Sequence, residues 1–266
     1  MTNFSNTYQQ KTSKGKFLYL ITHPGSWGKL LLIFRVKFRQ WVVKPIVNFY
    51  YSLRAYDNQE AIRFLINQGS VVSFFDKYEK ELEEAQNLEN QCPVKLGGAG
   101  NLELIYQLTR HFKAEKVVET GVAYGWSSLA FLLAMQESGG SGVLISTDLP
   151  YSKDTERYVG WVVPEKLRGG WTIIRKADQS ALPEVLSKLS KIDIAHYDSD
   201  KSYHGRMFGY AKLWSSLKPG GLLISDDAGD HLAFLRFARD VSERPMIVKK
   251  NKGCVGVLIK PEGNNV

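Results

Sequence analysis

Cysteine is scarce: only Cys92 and Cys254 occur among 266 residues, with no Cys-x-x-Cys and no histidine spacing for zinc. That excludes a disulfide-stapled scaffold and fits a reducing compartment. No uncharged apolar run reaches the roughly 18–20 residues of a membrane-spanning helix. The opening MTNFSNTYQQKTSKGK lacks the apolar core and small-residue cleavage site of a secretory leader. A cytoplasmic protein, or one peripheral to a membrane, is therefore expected. Acid is missing altogether from residues 1–56, which hold nine Lys/Arg, whereas the other 210 residues carry 26 basic and 27 acidic side chains. The net charge of +8 thus belongs to the N-terminal segment. A near-neutral main body argues against a nucleic-acid channel through it, and no nucleic-acid partner is expected.

What is present is an ordinary globular composition, 44% hydrophobic and 23% charged. Residues 1–16 read as disordered. Over Trp27–Tyr51, Leu31, Phe34, Phe38 and Trp41 recur at helical steps, with Lys29, Lys37, Gln40 and Lys44 on another face, and Pro45 is expected to end or kink that helix. Such a helix can pack on the main domain, pack on a second subunit in a homo-oligomer, or lie in a membrane interface with cations on anionic lipid. Residues 57–91 read as further helices, with a solvated charged face at 76–84. The glycine-rich break at 91–100 sets a boundary, with a basic helical extension over 1–95 and the main domain over 96–266.

From there the pattern alternates. Strands are expected at 116–120, 142–147, 172–176, 192–197 and 221–225, and helices at 126–137, 155–168, 180–190, 204–216 and 231–240. Two final apolar runs, 246–249 and 255–259, form a hairpin across Lys-Asn-Lys-Gly. The fold class is α/β: a Rossmann-like, doubly wound, mostly parallel sheet of seven strands, the last antiparallel, with an N-terminal helical extension.

In such a sheet the ligand sits at the carboxyl ends of the strands. The first strand runs through Glu119 into a turn with Gly121 and Gly125, then a helix from Ser127. Glycines there let a ligand approach the main chain at a helix N-terminus. The Gly-x-x-x-Gly spacing is neither a dinucleotide fingerprint nor a P-loop. Asp148 ends the second strand, where an acid can accept from ribose hydroxyls. Asp178 and Gln179 follow the third strand within reach of an adenine edge. Asp198 follows the fourth, and Asp226 and Asp227 the fifth. Three carboxylates brought together repel one another unless a cation neutralises them, and hard oxygen donors suit Mg²⁺ or Mn²⁺.

The residues that carry a family likeness are Val118-Glu-Thr-Gly-Val-Ala-Tyr-Gly-Trp-Ser-Ser128, Asp148, Tyr197-Asp-Ser-Asp-Lys201 and Leu217-Lys-Pro-Gly-Gly-Leu-Leu-Ile-Ser-Asp-Asp227. With them the chain from about 97 to 260, some three-fifths of its length, resembles the class I S-adenosylmethionine-dependent methyltransferases. Within these it is similar to the metal-dependent O-methyltransferases of catechol, caffeoyl-CoA and macrolide- or aminocoumarin-sugar type. The resemblance implies cofactor contacts from Glu119, Gly121, Tyr124, Gly125, Ser127, Asp148, Asp178, Gln179 and Asp198. It implies metal ligation by Asp198, Asp226 and Asp227. Lys201 matches the position of the general base, with His204 as a substitute, and Tyr203 and His231 are candidates on the substrate side. Asp-Asp after the fifth strand is the sugar-type pattern, where catechol-type enzymes carry Asp-Asn.

The expected activity is transfer of a methyl group from S-adenosylmethionine to a hydroxyl of a small molecule or sugar, with Mg²⁺ or Mn²⁺. The alternatives are a metal-independent N- or C-methyltransferase and a cofactor-binding protein without turnover, recruited by its basic N-terminus.

Overall fold

The computed structural model describes residues 42–68, 71–251 and 253–262. The expectations for 1–16 and for the first part of the 27–51 helix lie outside the described residues. Among the described residues four helices precede the main alternation: α1 (Lys44–Ser52), α2 (Asn58–Ile66), α3 (Phe74–Lys77) and α4 (Glu79–Gln91). Pro45 stands in the first turn of α1, a position where a missing N–H is tolerated, directly after a π-helical turn at 42–43. Asp57 and Ser73 cap α2 and α3 by accepting from backbone amides of their first turns.

The alternation follows as α5 (Leu102–His111), β1 (Lys116–Thr120), α6 (Trp126–Glu137), β2 (Val143–Asp148), α7 (Lys153–Glu156), β3 (Trp171–Arg175), α8 (Asp178–Lys188), β4 (Ile192–Tyr197), α9 (Tyr203–Ser216), β5 (Leu217–Ser225), α10 (Ala233–Asp240), β6 (Met246–Lys249) and β7 (Cys254–Ile259). The helix expected over 155–168 is absent. In its place are one turn of α7 and a separate 3₁₀ turn at Glu165–Gly170. Gly160 sits at φ +73° and Pro164 restricts the residue before it, so a continuous helix is broken twice. The fifth strand starts earlier than expected, at Leu217, and takes in Lys-Pro-Gly-Gly.

The seven strands lie in the order β3-β2-β1-β4-β5-β7-β6. β1 pairs in parallel with β2 and β4, and β7 enters antiparallel between β5 and β6. Successive strand residues point to opposite faces. Val117, Leu144, Ile194, Ile224 and Val257 join α2, α5 and α6 in one buried cluster. Val118, Ile145, Ala195, Leu223 and Leu258 join α1, α8, α9 and α10 in the other. Both faces are covered, which is why the strands read as apolar runs rather than alternations. The order reverses between β1 and β4, so the carboxyl ends of β1, β2, β4 and β5 open onto one crevice.

Candidate active site

That crevice holds a cavity of about 1440 Å³, lined by the 95–103 loop, the β1–α6 turn and the ends of β2, β4 and β5. Of the expected residues, Gly121, Tyr124, Ser127, Asp148, Asp178, Gln179, Asp198, Lys201, Asp226 and Asp227 line it. Glu119, Gly125 and His204 do not, and neither do Tyr203 and His231.

Each placement has a local cause. Gly121 has φ +81°, and a Cβ there would fall 2.3 Å from the Asp198 carbonyl oxygen. Only glycine lets β1 leave the sheet against the end of β4. Glu119 is fully buried behind the turn and accepts hydrogen bonds from the hydroxyls of Ser128 (2.6 Å) and Ser146 (2.7 Å) and from Ser127. Burial raises its pKa, but His196 and the Ser127 and Ser128 hydroxyls outweigh that and hold it below the ordinary value. Glu119 therefore fastens β1, β2 and α6 together, enclosed by protein hydroxyls.

The Asp148 Oδ2 accepts from the amides of Val122 (3.2 Å) and Ala123 (3.0 Å) and pairs with Arg175 at 3.2 Å. Its Oδ1 has no protein partner among the described residues and is the atom available to a ligand hydroxyl. The Val122 and Ala123 amides are thus taken by Asp148, while those of Gly121 and Gly125 bond to the Thr147 and Val122 carbonyls. Asp178 accepts from Thr147 Oγ1 at 3.0 Å and from Ser199, joining the ends of β2 and β4. Burial pushes both Asp148 and Asp178 above the ordinary carboxylate range, against their hydrogen bonds. Tyr124 donates to the Val94 carbonyl at 2.6 Å and ties the 91–100 segment over the turn.

The acids after β4 and β5 converge: Asp198, Asp226 and Asp227 offer ligand oxygens within 4.8 Å of one another. Two ammonium groups sit among them. Lys201 contacts Asp198 and lies 3.1 Å from Asp227. Lys250 lies 2.7 Å from both Asp226 oxygens and 2.8 Å from Asp227. Burial would raise the Asp227 carboxyl, but the two lysines hold it at about 2. Asp198 is pushed above the ordinary range by burial and by the charge of Asp226, against Lys201. Burial opposes the charge of Lys201, yet Asp198 and Asp227 outweigh it and raise its pKa. The donor set is hard oxygen throughout, so it fits a divalent cation. The same oxygens already hold lysine ammonium groups, so cation and lysines compete for them.

Two contributors were not legible in the sequence. Lys250 comes from the β6–β7 turn, and nothing local marks it, because β7 inserts beside β5 only in the assembled sheet. Arg206 is buried to 1% exposure and donates to Tyr210 Oη (2.9 Å), Ser225 Oγ (3.1 Å) and the carbonyls of Asp226 (3.0 Å) and Asp227 (3.1 Å). It fixes the backbone that carries the paired acids, including Asp227 at φ +47°. His231 accepts at Nδ1 from the Ala233 amide (3.2 Å), so Nε2 carries the hydrogen given to the Lys201 carbonyl at 2.9 Å.

Residues 118–228 match a family model described as a methyltransferase domain. A search among curated proteins finds no significant match. Among solved structures, an O-methyltransferase from Bacillus cereus bound to SAH aligns with a TM-score of 0.51 at 12% identity, covering 79% of this chain and 100% of that one. The O-methyltransferase TomG from Streptomyces achromogenes, bound to SAM, gives 0.50 at 16% identity, covering 68% and 90%. An SAH-bound methyltransferase from Podospora anserina gives 0.50 at 13% identity, covering 73% and 99%. At these identities the structures share the fold alone; the family match, running from β1 to just past Asp227, marks residues 118–228 as a methyltransferase domain.

Proposed function

We propose that the protein methylates a hydroxyl of a small molecule or sugar, with a divalent cation at Asp198, Asp226 and Asp227. The observation that carries this reading is the convergence of those three carboxylates in the same cavity as Gly121 and Asp148. The O-methyltransferase names of the Bacillus cereus and Streptomyces achromogenes structures support it at the level of reaction type.

The chemistry is an in-line displacement. The acceptor oxygen forms a bond to the sulfonium methyl, the carbon–sulfur bond breaks to a neutral thioether, and the hydroxyl proton is lost. Most of the acceleration then comes from positioning. Asp148 Oδ1 orients the ribose of the methyl donor, and the Gly121 turn admits its backbone-hugging end. A cation at the three carboxylates would supply Lewis acidity that eases loss of the hydroxyl proton. Lys201 rests as an ammonium between Asp198 and Asp227, a form that holds an acceptor oxyanion; to act as the proton acceptor the family resemblance implies, it must first leave the acids and give its own proton to solvent.

Lys201 and Lys250 favour a second reading, in which they alone neutralise the acids and no metal is needed. Methyl transfer measured with and without EDTA, and in Asp226→Ala, separates the two. Loss of at least about a hundredfold in chelator, restored by Mg²⁺ or Mn²⁺, is expected for the first. Full activity in chelator with loss only in Asp226→Ala would establish the second.

A further inference from the structure

We propose that the outward face of α1 docks on an anionic lipid bilayer. α1 carries two apolar stripes. Val47 and Tyr51, one turn apart, are buried against the sheet. About a third of a turn round the helix, Ile46 (62% exposed), Phe49 (65%), Tyr50 (40%) and Leu53 (66%) form a second stripe that faces outward. Four large apolar side chains in one continuous stripe mark an interaction surface rather than scattered exposure.

The helix is held firmly on its inner side. Lys44 pairs with Asp230 at 2.7 Å, Tyr51 donates to the His231 carbonyl at 3.3 Å, and the Leu235 amide donates to the Tyr51 hydroxyl at 3.4 Å. The outer stripe is therefore presented by a fixed scaffold, one hydrogen bond away from the His231 ring that holds the Lys201 carbonyl.

Charge selects the occupant. Residues 1–56 contain nine Lys/Arg and no acid. Arg54 lies over the Tyr50 ring, 3.7 Å from its centroid, at the border of the stripe. A stripe of aromatic and aliphatic side chains bordered by Arg54, in a segment whose sequence through residue 56 carries cations and no acid, is the complement of an anionic headgroup layer. A second copy of this chain would bring an equally basic N-terminal segment and be repelled by it.

The test uses the full-length protein and vesicles of phosphatidylcholine with and without phosphatidylglycerol. Sedimentation is expected with the mixed vesicles and not with neutral ones, and to weaken as salt rises. F49D/L53D is expected to lower the partition coefficient at least about tenfold, with S-adenosylmethionine binding and thermal unfolding unchanged. R35E/K37E/R39E should lower it through charge alone. If F49D/L53D does not fold, F49S/L53S is used in its place. Absence of binding to mixed vesicles, or undiminished binding by the folded stripe variant, overturns the proposal. So does a lipid-free dimer that the stripe variant dissociates, which would give the face to a second copy.

Discussion

At the residue scale the site depends on cations set among acids. Because Asp198 and Asp227 raise the pKa of Lys201, its ammonium is the resting form at neutral pH. Lys201→Arg keeps the charge and cannot give up a proton, so it should retain activity within about tenfold, whereas Lys201→Met should lose about a hundredfold in kcat. Equal losses in steady-state assays would make proton acceptance the essential role. Arg206→Met removes the donor that satisfies the Asp226 and Asp227 carbonyls, and should lower stability by about 3 kcal/mol in urea denaturation. Gly121→Ala must displace the Asp198 carbonyl or the turn itself, and should abolish S-adenosylmethionine binding in calorimetry.

At the scale of elements, one carboxylate links three helices. Glu137, at the end of α6, accepts from Tyr106 (2.6 Å) and Arg110 (2.9 Å) of α5 and pairs with Lys77 of α3 at 2.6 Å. Burial would raise its pKa, but Lys77, Tyr106 and Arg110 hold it at about 2, below the ordinary 4.5. Because the folded value is depressed, the stabilisation is complete above pH 4.5 and is lost as pH falls toward 2. Glu137→Gln should cost about 2 kcal/mol at neutral pH and flatten the loss of stability across that acid window, followed by thermal melts. The helices themselves were legible where apolar spacing and caps agreed, as in α5 with Asn101 accepting from the Leu104 amide. Over 155–168 apolar spacing misled, because Val159, Val162 and Val163 pack inward from irregular turns rather than from one helical face.

At the scale of the whole molecule, α1 and α2 share their buried clusters with the sheet. Tyr51, Ala61 and Ile62 are each fully buried, and Tyr56 bridges to Val248 of β6. These helices should therefore unfold with the sheet. Far-ultraviolet circular dichroism and tryptophan fluorescence are expected to give coincident denaturant transitions. A separate early transition would mark residues 44–95 as an independent unit. Among the described residues no helix is long and apolar enough to cross a membrane, so contact with lipid through α1 would be peripheral.

The alternation of strands and helices, the glycine turn at Gly121 and the acids at the strand ends followed from the sequence alone. Period, turn chemistry and chain order are local properties, and the handed crossover of parallel strands leaves only a few arrangements for them. Three things required the tertiary structure. Lys250 reaches Asp226 only because β7 inserts between β5 and β6. Arg206 reaches the Asp226 and Asp227 carbonyls only because α9 packs against the end of β5. The Asp148 carboxylate is shared between the turn amides and Arg175, so one oxygen remains for a ligand. Each is a contact between groups far apart in the chain, and its partner is set by packing rather than by neighbouring residues.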